Sequence, residues 1–310
     1  MKSPKGNKLL NGKVKLNITY FLLTLPGMIC LIMLGFVPCF GLLLAFKNFN
    51  YLDGILGSPW VGFKNFQAFF KTNDFYRVVG NTVMYNLVWT FIVNIFLAAL
   101  VAIALYDVRK KALNKAYQTT LLIPGFVSAV AMSYAVYIFL SHENGLINRA
   151  LTAMGKTPIQ WYNEPKYWPF IITVVVAVTQ IGMASLYFYS ALLSIDTQLF
   201  EAAEIDGAKK LKQLWYISIP ELMPMMCMVL IGRMGQILAS GLDPFYSLTL
   251  QSTALYPTTD VLATYLYRGM TQSSIGVTTA ISLFTNLVGI IMITLSNTIV
   301  KKINSEMAMY

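Results

Sequence analysis

Residues 199–220 read LFEAAEIDGAKKLKQLWYISIP, a charged and amphipathic stretch set between two long apolar runs. Local chemistry makes it helix, turn, helix. Asp196 or Thr197 can cap a helix start, and Glu201 and Glu204 fall in its early turns, where carboxylates favour the helix dipole. Gly207 can take the left-handed conformation that stops it. Beyond the turn, Lys209, Lys210 and Lys212 crowd the start of a second helix. Leu211, Leu214, Trp215 and Ile219 share one face of it, and Pro220 opens the next apolar segment. Ala202, Ala203 and Gly207 carry almost no side chain, so another protein can approach this backbone closely. The stretch reads as a rigid knob for a partner's groove.

The flanking runs set the class. Of 310 residues, 56% are hydrophobic and 12% charged, whereas a water-soluble domain carries about a quarter charged. Six runs, 20–46, 78–106, 116–141, 167–195, 222–242 and 269–300, reach the ~20 residues that cross a hydrocarbon core of roughly 30 Å. The expected fold is an all-α integral membrane protein with six transmembrane helices. The first run exceeds a typical signal core and no A-x-A-like site follows it, so it is expected to be retained. Pro26 and Pro38 should kink it, and Pro124 and Pro224 point to further irregularity. No second domain, low-complexity tract or internal repeat is evident. The expected organisation is a cytoplasmic segment 1–18, a six-helix domain over 19–303 containing the loop 196–220, and a cytoplasmic tail 304–310.

Glu201-Ala202-Ala203, three further residues, Gly207, nine more, then Ile217-x-Ile219-Pro220 resembles the EAA loop of ATP-binding-cassette importer permeases, with isoleucine where that family usually has leucine. Weaker likenesses extend along nearly the whole chain. PGMICLIMLGFVPCFGLLLAFKNF, WVGFKNFQAFF, TDVLATYLYRGM and NTIVKK are similar to the subfamily that handles oligosaccharides and complex carbohydrates. The resemblance implies a permease subunit forming half of a translocation pathway, with Leu199, Phe200, Glu201, Ala202, Ala203, Asp206 and Gly207 inserting into a cleft of an ATPase subunit. It also implies a second similar permease, two cytoplasmic ATPases that use ATP and Mg, and an extracytoplasmic solute-binding lipoprotein. The membrane would be a bacterial cell membrane. This chain would hold no cofactor of its own.

Charge gives the orientation. With the amino terminus cytoplasmic, the inner segments hold fourteen Lys and Arg and the outer ones eight over a greater length, so the positive-inside bias favours that topology. The loop 196–220 then faces the cytoplasm. The net charge of +10 is explained by topology and anionic lipid and does not call for nucleic acid. The first outer loop, 48–77, is aromatic-rich, and Phe63, Phe66 and Phe70 fall on one helical face. That face reads as a membrane anchor or as a contact for the external binding protein.

Catalytic chemistry is missing from the pattern. No G-x-x-x-x-G-K-[ST] loop is present, so ATP is not held here by that route. His142 beside Glu143 reads as a solvated loop residue. Glu204 and Asp206 are solvated and do not form an acid/base pair. Cys30, Cys39 and Cys227 lie in apolar runs without metal-ligand spacing and are expected to be buried reduced thiols. Arg233 is the one charge inside the six runs, expected near the middle of the fifth, with Gln236 on the same face. A charge at that depth should face the bundle interior or a cavity. Asn94, Gln180, Tyr187, Gln236 and Asn286 either bond between helices or line a passage with Arg233 for hydroxyl-rich cargo. Asp243 and Asp260 are expected at the outer end, gating or meeting the binding protein. An ion-coupled secondary transporter is the alternative class; it wants acidic residues at mid-membrane, and the six runs contain no Asp or Glu.

Overall fold

The structure, a computed structural model, describes residues 6–239, 241–272 and 274–309. Among these the chain is helical, without strands beyond an isolated bridge between Lys47 and Trp60. It forms two compact units, one over residues up to 69 together with 274–283, the other over 70–272 and 284–309. Five helices are long and apolar enough to cross a membrane, or six if one bent pair counts as a single span.

In the first unit, α1 (Gly6–Leu31) continues through a π-helical stretch, Ile32–Phe36, into a 3-10 stretch, Val37–Phe46. The loosened geometry surrounds Pro38, whose missing N–H breaks the regular ladder. This span is almost wholly exposed, so Cys30 and Cys39 are exposed, and Cys227, in the fifth run, is half-buried, contrary to the expected burial. Apolar residues on a lipid-crossing helix do not need protein cover. A short helix, α2 (Lys64–Phe70), follows the aromatic loop. The Asn65 amide anchors it, donating to the carbonyls of Ala45 and Lys47, each at 2.9 Å. Asn65 and Phe69 are its buried residues, while Phe63 and Phe70 of the expected aromatic face stay exposed. Phe46 receives Trp60 and Phe66 at ring distances of 5.6 and 5.5 Å.

The second unit is built on α3 (Phe75–Tyr106) and α6 (Pro165–Leu193). Tyr85, Trp89 and Val93 of α3 bury against Trp168, Ile172 and Val176 of α6, and further along Ala98, Ala99 and Ala102 meet Ala184, Phe188 and Leu192. Alanines let the two backbones close in where lipid supplies no hydrophobic drive between helices. Between them the chain turns back after Tyr106, where Asn114 donates to Leu105 O at 2.7 Å. The third expected run is two helices, α4 (Lys111–Phe126) and α5 (Ala129–Leu140), bent by 94°. Ser128 caps the second, accepting from the Ala131 amide. Gly182 of α6 lets α4 cross it, since a β-carbon there would collide with the Leu121 carbonyl.

The fifth run departs most from expectation. Its helix, α8 (Lys210–Met234), starts twelve residues before 222, runs through Pro220 and stops at Met234. A π-helical stretch, Leu214–Ser218, precedes the proline and accommodates the backbone bond it cannot make. Residues 235–238 turn outside the helix, and Asn86 of α3 donates to Ile237 O at 3.0 Å, satisfying a carbonyl freed by that break. Arg233 therefore sits in the last turn of a broken helix, not in the middle of a continuous one. Beyond it, α9 (Leu262–Gln272) packs on α3, and α10 (Ile275–Ile303) is the last span. Asp260, just before α9, is 1% exposed and takes Arg268 at 2.8 Å through both carboxylate oxygens, Arg77 at 3.1 Å and Thr264 at 2.9 Å. It is an internal brace between α3 and α9, and its burial runs against the expectation that it meets an external binding protein.

Candidate translocation cavity and docking helix

A cavity of about 600 Å³ opens between α3, α4, α6 and α8. Five of the six polar residues picked out for a passage line it together: Asn94 from α3, Gln180 and Tyr187 from α6, Arg233 from α8 and Gln236 just beyond. Asn286 does not; it is exposed on α10 away from the lining. The remaining wall is Leu122, Gly125, Phe126, Thr179, Met183, Ala184, Met228, Val229 and Gly232. Sequence reasoning passed over Met183 and Ala184, although Gln180, Met183, Ala184 and Tyr187 follow a helical spacing that puts them on one face. Phe126 and Met228, which sequence reasoning did not assign to it, line the same cavity from α4 and α8.

The polar side of the cavity is organised by one buried amide. Asn94, 2% exposed, donates its Nδ2 to Trp89 O at 2.8 Å within a π-helical stretch of α3, Trp89–Leu97. That fixes its oxygen toward Arg233, whose Nη2 donates to it at 2.8 Å. The wider π-helical turn places the side chain of residue 94 over the carbonyl of residue 89. Among the described residues no carboxylate lines this cavity.

At the other end of α6 the chain forms α7 (Thr197–Ile205). Asp196 is its cap, accepting from the Gln198 amide at 3.0 Å. It ends as expected at Gly207, φ +73°: the Ala208 amide bonds to Ala203 O at 2.8 Å and the Gly207 amide to Glu204 O at 3.0 Å. These paired bonds are the Schellman arrangement, which only a residue tolerant of positive φ completes without strain. Leu199, Glu201, Ala202, Asp206 and Gly207 are exposed, and Ala203 is half-covered. Phe200 points inward instead, its ring 6.1 Å from Tyr106 of α3. Of the seven residues expected to meet a partner, Phe200 thus fastens α7 to the bundle. Ile205, 87% exposed, was not singled out and stands where an apolar contact would be expected. Beneath α7 a second cavity of about 390 Å³ is lined by Glu201, Glu204, Phe200 and Tyr106, with Lys210 and Asp107 paired at 2.7 Å on its edge.

No group of three or more potential metal-ligating side chains exists among the described residues. His142 is exposed and its Nδ1 lies 3.4 Å from Ile159 O.

A bundle of long apolar helices around a polar cavity, with a bent helix pair, a helix broken at Met234 and a capped helix between spans, is a multi-pass membrane component of the permease class. The chain belongs to the family of binding-protein-dependent transport system inner membrane components, whose model matches residues 94–305. It is a transport subunit and not an enzyme. It is 33% identical over 310 residues to the polygalacturonan/rhamnogalacturonan transport system permease protein YteP of Bacillus subtilis (strain 168), covering 98% of this chain and 94% of that one. Protein LplB of the same organism is 31% identical over 290 residues, covering 92% and 89%. A crystal structure of a bacterial ABC transporter involved in the import of the acidic polysaccharide alginate matches with a TM-score of 0.84 at 27% identity, covering 95% of this chain and 99% of that chain. The bacterial alginate ABC transporter in complex with an alginate pentasaccharide-bound periplasmic protein matches with a TM-score of 0.83 at 26% identity.

Proposed function

We propose that this chain is the permease half of an ATP-driven importer of oligosaccharides. The observation that carries it is the cavity: amides, a phenol and a guanidinium converge from three helices on a space of about 600 Å³, bounded elsewhere by apolar walls. Sugars present hydroxyls to amides and ring faces to aromatics, and a passage needs several weak contacts that release as well as bind. The names of the near-full-length relatives favour the same cargo class. In this reading Asn94, Gln180, Tyr187, Arg233 and Gln236 line the path, and a second, similar permease closes its open side.

The exposed α7 is the coupling element. Leu199, Glu201, Ala202, Ala203, Asp206 and Gly207 enter the cleft of a cytoplasmic ATPase, and Phe200 passes the motion to α3. Two such ATPases bind and hydrolyse ATP with Mg, and an external binding protein delivers the cargo. The amino terminus is cytoplasmic, with α7 on the same side. Affinity purification from the native membrane, with mass spectrometry of proteins and bound glycan, tests the assembly; recovery without ATPase or second permease would sink it. Single cysteines at Lys210 and Asn163, in a background lacking the native three, test orientation. The first should react with an impermeant reagent only from the cytoplasm, and reaction of both from outside overturns the topology.

A further inference from the structure

We infer that Arg233 selects for anionic cargo: its guanidinium takes the carboxylate of an acidic sugar unit, so that the cavity prefers uronate-bearing to neutral oligosaccharides. This rests on the carbohydrate reading above and narrows it. Arg233 is half-buried on the cavity wall and makes one hydrogen bond within the described residues, to Asn94 Oδ1 at 2.8 Å. That partner is neutral, and its own amide nitrogen is committed to Trp89 O. The positive charge is thus oriented and not neutralised.

Asp74 and Asp260 pair with Arg77, Asp260 with Arg268, Glu164 with Lys166 and Asp107 with Lys210, and none of these four carboxylates lines the cavity. A guanidinium has five donors in a planar fork that matches a carboxylate in bidentate fashion. One donor is used. A half-buried charge with one neutral acceptor is lowered in energy by an anion more than by a hydroxyl. Gln180, Gln236 and Tyr187 on the same wall offer two amides and a ring to the remainder of a sugar. The site is therefore one anion-reading fork beside neutral contacts that suit any sugar.

The test uses the complete complex, with its second permease, ATPases and binding protein, reconstituted in liposomes. The probes are radiolabelled trigalacturonate and its fully methyl-esterified form, which share a ring skeleton and differ in charge. Because the binding protein is the same throughout, a change in the acid-to-ester uptake ratio on substitution reports this chain. Arg233→Gln should lower that ratio about tenfold or more, the size of one charge-assisted hydrogen bond, with the complex eluting intact by size exclusion. Arg233→Lys, which keeps the charge and loses the fork, should fall between. An unchanged ratio in Arg233→Gln overturns the inference, as does an equal fall for both probes. Failure of both variants to assemble also overturns it, assigning Arg233 to a carboxylate of the second permease. Uptake of neither probe by the wild type while a neutral oligosaccharide enters also overturns the inference, and uptake of no oligosaccharide at all would remove the carbohydrate reading itself.

Discussion

Arg268 and Arg233 are both half-buried, and their surroundings differ in kind. Arg268 meets Asp260 with two parallel hydrogen bonds of 2.8 Å, shares that carboxylate with Arg77, and lies over the Tyr256 ring at 4.4 Å. Burial pulls the Arg268 pKa down, but the Asp260 hydrogen bond and charge outweigh it and the net shift is upward. Arg233 has one amide oxygen and an open cavity. A buried ion with a full complement of partners fixes helices in register, whereas one left short of partners keeps donors for something that arrives later.

The comparison breaks most visibly at Asp260. Asp260→Asn removes the buried carboxylate that Arg268 and Arg77 share, leaving Arg77 with Asp74, and should cost about 3–5 kcal/mol, read as a large fall in the thermal unfolding midpoint of the purified complex. A midpoint within experimental scatter of the wild type would mean that the triad braces nothing. Next in size is Gly207→Val. Forcing a β-branched residue to φ +73° costs about 1–2 kcal/mol and falls at the end of α7, the proposed docking helix, so ATPase capture in detergent and transport should both drop; undiminished capture with undiminished uptake would refute the coupling role. Asp196→Ala removes the cap of the same helix at a cost of about 1 kcal/mol. Faster amide exchange at Gln198 would report it, while unchanged protection would show that packing through Phe200 alone holds α7. Smallest is the net stability effect of Arg233→Gln, expected below about 1 kcal/mol because loss of the hydrogen bond to Asn94 is offset by removal of a half-buried charge without a carboxylate beside it. A shift as large as that of Asp260→Asn would erase the distinction between the two arginines.

Much of this was legible along the chain. The membrane class follows from composition, because a hydrocarbon solvent demands long apolar helices whatever their arrangement. The bounds of α7 were readable because capping acts within about four residues of sequence: Asp196 and Gly207 carry their own instructions. That polar residues in spans face protein or cavity was a sound guide for Asn94, Gln180, Tyr187, Arg233 and Gln236. Asn286 stands apart from that cavity, since its place on α10 depends on how that helix is turned.

The sequence by itself determined the solvent this protein folds in, the number of apolar runs, and the stop of the helix between the fourth and fifth of them, since each depends on composition or on neighbours a turn away. Tertiary structure decided the rest. Arg233 and Asn94 are 139 positions apart, as Arg77 and Asp260 are 183 apart, and no local rule pairs them. The fold likewise set the break of α8 at Met234, made possible where Asn86 reaches the freed carbonyl of Ile237, and the inward turn of Phe200 toward Tyr106. The same aromatic, amide or guanidinium group can brace a bundle or line its cavity, and what decides is which distant helix lies opposite it.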